Sequence, residues 1–316
     1  DVQDYPAKFS VKYSRLTHRK RQAFVIICQF YHIYLMHTNK YITGSAIMKI
    51  ISSSKKSMGL FVLGIVLAVS IFLFSSFGHQ IITSGTGTGV VSWGLRHNNN
   101  HTTPEGNAKG IEILNNNGGK YIGNTDEKKI YLTFDLGYEA GYTEKVLDTL
   151  KQNNLKAVFF ITGNYLEKEP DLIARMIADG HYIGNHTYYH RDCEKASFAE
   201  IQEDITKLQS AFSEKYGITM QFYRPPQGKF YDDVIAEANG LGLTTLLWSF
   251  AYEDWGDNVI PAETAVSKIM ARIHPGAVFL LHLANETNSN MLPFAIESIQ
   301  SEGYTIGDPI DLLPAA

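Results

Sequence analysis

The chain has 316 residues, 44% of them hydrophobic, which is enough for one large domain with appendages and a substantial core. A formal net charge of −4, without a basic face or a run of like charges in the second half, gives nucleic-acid binding no footing. Two cysteines, Cys28 and Cys193, are too few for a disulfide framework.

Residues 1–47 carry no assignable function. The chain opens on Asp1, and the apolar run Ala23 to Met36 is broken by Gln29 and His32. Residues 1–57 are expected to be cytoplasmic, or, if translation starts at Met48, the residues upstream of it come from an over-extended reading frame. From Gly59 to Phe77 the sequence is nearly uninterrupted apolar residues without charge, about 19 positions, which at ~1.5 Å per residue can just cross a hydrocarbon core of ~30 Å. Residues 58–77 are therefore expected to form a membrane anchor or a signal sequence. Lys49, Lys55 and Lys56 precede the run, so the positive-inside rule places the chain beyond Phe77 outside the cytoplasm, on a single-pass protein of the cell membrane. The two cysteines then lie on opposite sides and cannot pair. The long run, without a small-x-small cleavage site, favours an uncleaved anchor over a secretory signal.

Residues 78–125 hold Gly85-Thr-Gly-Thr-Gly89, the Asn98-Asn99-Asn100 run and Asn115 to Gly119, a composition that reads as stalk or linker. Trp93, Ile111, Ile113, Leu114 and Tyr121 could still pin parts of it to the neighbouring domain. Residues 126–316 change character, with short apolar runs alternating with helical periodicities. Strands are expected at Ile130–Phe134, Ala157–Ile161, Tyr182–Gly184, Phe222–Arg224, Thr244–Trp248, Val278–Leu281 and Tyr304–Ile306. Val146, Leu147 and Leu150 share one helical face, and Leu172, Ile173, Met176 and Ile177 share another ahead of Gly180. Ser197 and Glu200 form a capping box for a helix that Gly217 stops. Further helices are expected from about Tyr231 to Asn239, Pro261 to Ile273 and Met291 to Glu302. The class is α/β, either an incomplete barrel or an open doubly wound sheet.

The reactive residues fall just past strand ends, which in a parallel β/α fold converge on one rim. Asp135 follows the first strand, His186 the third, Arg224 ends the fourth, Asp254 comes after the fifth and His282 after the sixth. His186 and His190 form a His-x-x-x-His pair that, on a helical turn, could grip a divalent ion such as Zn²⁺, although two ligands do not complete a tetrahedral shell. Separate surface or core histidines are the alternative. Arg224, in the rigid turn Arg-Pro-Pro-Gln-Gly, would hold Asp135 ionised, or else make an ordinary structural ion pair. Asp254 beside Trp255 could support His282 as an acid near neutral pH, or simply anchor a loop.

Together these stretches resemble the polysaccharide deacetylase family, also called the NodB homology domain or carbohydrate esterase family 4. Its motifs stand here as Thr133-Phe134-Asp135-Leu136-Gly137, His186-Thr187-Tyr188-Tyr189-His190, Arg224-Pro225-Pro226-Gln227-Gly228, Asp254-Trp255 and Leu281-His282. Gly137 to Tyr142, Gly180 to His186 and Ile273 to Ala277 look like the sporulation-linked, delta-lactam-forming branch that deacetylates N-acetylmuramic acid in peptidoglycan.

The resemblance implies a distorted (β/α)7-type barrel that hydrolyses the acetamide of amino sugars in a peptidoglycan glycan strand. It makes Asp135 the general base, Arg224 its orienting partner and His282, tuned by Asp254, the general acid. It makes His186 and His190 the metal ligands, the Gln227 N–H an oxyanion donor and Trp255 a wall of the sugar groove. The family's first motif usually has a second Asp where this chain has Leu136, so metal occupancy is in question. The rival readings are a deacetylase of N-acetylglucosamine in peptidoglycan or chitin oligomers, and a carbohydrate-binding pseudoenzyme.

Overall fold

The computed structural model describes residues 89–97 and 100–314. The expected membrane segment at 58–77, residues 1–57 and Cys28 lie outside them, and among the described residues no helix is long and apolar enough to cross a membrane. The described chain opens on β1 (Val91–Ser92), β2 (Leu95–Arg96), β3 (Glu105–Gly106) and α1 (Ala108–Asn116). This departs from the linker expected at 78–125. β1 pairs antiparallel with β8 (Lys229–Phe230), and Val91, Trp93, Ile113 and Leu114 are buried in the main core. The composition that suggested a stalk is real, but these four apolar side chains outweigh it, and Asn107 caps α1 by accepting from the Gly110 N–H.

The barrel begins with β4 (Lys129–Leu136), then α2 (Thr143–Gln152), β5 (Val158–Ile161), α3 (Gly163–Lys168), α4 (Pro170–Ala178) and β6 (Tyr182–Asn185). Next come α5 (Phe198–Tyr216), β7 (Phe222–Tyr223), β8, α6 (Asp232–Gly240), β9 (Thr244–Thr245) and α7 (Ala262–Arg272). β10 (Val278–His282), α8 (Glu286–Ser301) and β11 (Thr305–Ile306) close the series. The expected capping box on α5 is present, and Gly217 ends that helix at φ 70°. α8 starts at Glu286, a turn earlier than expected, because Asn285 caps it and the polar residues Thr287, Asn288 and Ser289 are buried.

The strands pair in parallel in the order β10-β4-β5-β6-β7-β9, with β11 beside the start of β4, giving a half-barrel consistent with a (β/α)7 architecture. The fifth expected strand is shorter than Thr244–Trp248 because its continuation changes partners. Leu246 bridges Lys120, Ile122 bridges Ala277, and Phe250 bridges Phe279. Residues Lys120 to Ile122 thus plug the gap between β9 and β10.

The pleat of β4 sorts its side chains into two layers. Ile130, Leu132, Phe134 and Leu136 join the large cluster facing the helices, while Tyr131 joins Val158, Phe160, Phe222, Leu246 and Val278 inside the barrel. Thr133 and Asp135 continue the inner row toward the strand's C-terminal end. The open rim of the barrel lies at that end.

Candidate active site

Asp135 sits at that rim, 9% exposed. Arg224 leaves β7 and points inward with no exposed surface. Its Nη1 donates to Asp135 Oδ1 at 2.7 Å and to Thr133 Oγ1 at 2.8 Å, while Nε donates to the Leu246 carbonyl at 2.8 Å. The guanidinium also lies 4.1 Å from the Phe160 ring centre. With Nη2 donating to the Leu247 carbonyl at 3.3 Å as well, full burial and these contacts fix the guanidinium in one orientation. Burial pushes the Asp135 carboxyl up, but the charges of Arg224, His186 and His282 more than offset this and hold it below the ordinary carboxylate value.

His186 follows β6. Its Nδ1 lies 2.8 Å from the Arg224 carbonyl oxygen, which can only accept, so Nδ1 carries the proton and Nε2 presents a lone pair. That Nε2 faces Asp135 Oδ2 at 3.6 Å. Burial lowers the His186 pKa to about 4, which keeps the ring neutral.

The helical turn expected for the histidine pair is absent. Thr187 and His190 both adopt left-handed backbone, with φ 64° and 53°. Asp204 of α5 clamps this loop: its carboxylate accepts from the Tyr189 N–H at 2.6 Å and from the Arg191 N–H at 3.4 Å. Asn185 Oδ1 accepts from the Thr187 N–H. The turn still brings the two imidazoles together, with ring centres 5.0 Å apart.

Two lone-pair groups facing each other across a gap, beside a second imidazole, form a donor set that suits a divalent cation completed by water. They do not form a protein shell of three. Among the described residues no group of three or more His, Cys, Asp or Glu is placed to hold a metal. Leu136 is 1% exposed and lies on the helix-facing side of β4.

Across the rim, His282 ends β10, in register with Asp135 on β4. Its Nδ1 donates to Asp254 Oδ1 at 2.8 Å and its backbone N–H to Asp254 Oδ2 at 2.8 Å. Burial lowers the His282 pKa, but the Asp254 hydrogen bond and charge outweigh it, so the net shift is upward. Trp255, 51% exposed, stands edge-on to His282 with ring centres 5.6 Å apart.

Asp135, His186, His190, Gln227, Trp255 and His282 line one pocket of about 670 Å³. Gln227 holds φ 58° and is followed by Gly228 at φ 64°, where a Cβ would come within 2.7 Å of Trp248. Arg224 and Asp254 support the pocket from behind. A second pocket, also about 670 Å³, meets the first at His190 and is lined by Tyr138, Tyr188, Tyr189 and Lys207 among others. Sequence reasoning missed Thr133, Asp204 and Asn288. Thr133 stood in the first motif without a role of its own, and Asp204 left a trace as a polar residue on the buried face of a helix.

The Polysaccharide deacetylase family profile matches residues 122–246. The chain is 38% identical over 228 residues to the peptidoglycan-N-acetylmuramic acid deacetylase PdaA of Bacillus subtilis, covering 71% of this chain and 86% of that protein. The solved structure of B. subtilis PdaA, a family 4 carbohydrate esterase, superposes with a TM-score of 0.67 at 36% identity, covering 71% of this chain and 96% of that one. A family 4 pseudoenzyme from Bacillus anthracis superposes with a TM-score of 0.58 at 25% identity, over 61% of this chain and 68% of that one.

Proposed function

The chain belongs to the polysaccharide deacetylase family, hydrolases of amide bonds, and from that premise we propose that it removes the acetyl group of N-acetylmuramic acid in peptidoglycan. The observation that carries this reading is the pairing of a carboxylate held ionised by Arg224 with an Asp254-supported imidazole on the next strand, both facing one pocket.

In this reading Asp135 takes a proton from a water as its oxygen attacks the acetamide carbonyl. Arg224 fixes the carboxylate's orientation. The Gln227 N–H faces the oxygen that becomes charged. His282, held by Asp254, gives a proton to the nitrogen as the carbon–nitrogen bond breaks, leaving acetate and a free amine. His186 and His190 would hold a divalent ion such as Zn²⁺, which supplies Lewis acidity toward the carbonyl when bound. Trp255 shapes the sugar-binding wall, and the second pocket beyond His190 leaves room for a continuing glycan strand.

The test is mass spectrometry of peptidoglycan fragments after incubation with the protein. Loss of acetyl from muramic acid is expected. Loss from glucosamine alone would transfer the activity to N-acetylglucosamine. No loss with metal supplied would favour a pseudoenzyme, the second reading, for which Leu136 is the supporting observation. Residues 58–77 underlie a further part of the proposal, that the domain lies outside the cytoplasm on a membrane anchor. Protease added to intact cells should then remove it, and protection until lysis would overturn that placement.

A further inference from the structure

Asn288 lies in the first turn of α8, 1% exposed, ahead of Met291, where that helix was expected to begin. Its Nδ2 donates to Asp254 Oδ2 at 2.6 Å and to the His282 carbonyl at 2.7 Å. Its Oδ1 accepts from the Tyr252 hydroxyl. Only this amide orientation satisfies all three contacts, because two of the partners can only accept and the third donates. Asn285, the helix cap, adds a donation to the Asp254 carbonyl at 3.3 Å.

We propose that Asn288 is a positioning residue for the proposed acid, setting the rotation of Asp254 and thereby the aim and protonation of His282. Asp254 has two oxygens and must point one at the His282 ring. The His282 backbone N–H alone leaves it free to turn about that contact, and the Asn288 amide removes the freedom by gripping the carboxylate and the His282 main chain together. Tyr252 keeps the amide from flipping. The other charged or titratable groups facing His282 are Asp135 on β4, Arg224 after β7 and His190 on the clamped loop. None of them touches Asp254, so none can substitute for Asn288.

The proposal rests on the deacetylase reading for its kinetic arm only. Asn288→Ala in the full chain should lower kcat on peptidoglycan fragments about tenfold or more with KM within about threefold, and should move the alkaline limb of the pH–rate profile down. Titration of the His282 imidazole by NMR should show the same downward shift, and needs no substrate. If Asn288→Ala does not fold, Tyr252→Phe carries the test, since it removes one hydroxyl and leaves α8 intact; a smaller shift in the same direction is expected. An unmoved His282 titration in a folded variant overturns the proposal. A wild-type protein inactive on every fragment overturns the deacetylase reading instead, and the NMR arm still stands.

Discussion

Asp135 and Arg224 form a pair in which removing one partner strands the other. Asp135→Asn should lower turnover by about 10² to 10⁴, the usual worth of a positioned base. It should also destabilise the fold by about 3–5 kcal/mol, because the guanidinium would be left buried without its counter-charge. Kinetics and thermal melts on the same preparation separate the two losses. The pH profile follows from the same residues. Asp135 must be ionised and is held below the ordinary carboxylate value, and His186 must be neutral and titrates at about 4, so activity should fall only below about pH 4. His282 must be protonated and its pKa is raised above 6.5, so the alkaline fall should begin above that value. An alkaline limb centred below 6.5 would contradict the role given to His282, and an acid limb centred well above about 4 that given to His186. Leu136→Asp would put a carboxylate into the apolar layer beneath the helices. In chelator its Tm should drop by about 5 °C or more, and divalent metal should restore it as the side chain turns toward the histidines. A drop that metal leaves unchanged would show the carboxylate remaining in that layer. At this scale the sequence was legible where residue type and strand-end position coincided, as for Asp135, Arg224 and His282. It was silent where a polar side chain acts through another, as Asn288 does.

The elements show a second limit on what the sequence discloses. Strands and helices with clean periodicity fell where expected, and α5 carried both its caps. The histidine turn did not, since spacing of four suggests a helix while the chain instead uses two left-handed residues and a buried carboxylate from a neighbouring helix. Such a loop is held by a tertiary contact that periodicity cannot see. Asp204→Asn should keep the fold, because an amide oxygen can still accept one of the backbone N–H groups, while weakening divalent-ion affinity by about tenfold, as loss of a ligand-orienting partner commonly does. Calorimetric titration of metal into the two proteins measures it. Equal affinities would mean that His190 is positioned without the clamp.

On the scale of the whole molecule, the folded unit reaches further toward the N-terminus than composition implied. Trp93 donates its main-chain N–H to the Gly228 carbonyl at 2.8 Å and its indole N–H to the Trp248 carbonyl at 3.0 Å, so it backs the turn that carries Gln227. A fragment of residues 126–316 should therefore melt well below one of residues 89–316 and lose most activity, by about tenfold or more, as the turn loosens. Equal melting temperatures would return residues 89–125 to the role of linker. Low-complexity runs of Gly and Asn concealed this, because the few large apolar residues that anchor the segment are spread too far apart to form a periodic pattern. The plug at Lys120 to Ile122 also gives the protein a birth order. These residues leave the ribosome before any of the strands β4 to β10, yet the positions they bridge, Leu246 and Ala277, emerge only after β4 to β7 have been made. A piece made ahead of every strand of the parallel sheet is among the last to dock. A growing chain can therefore lay down β4 to β7 while its barrel stands open, and the base side of the site exists before the acid side does. Hydrolytic competence waits until β10 has been made and has brought His282 to Asp254.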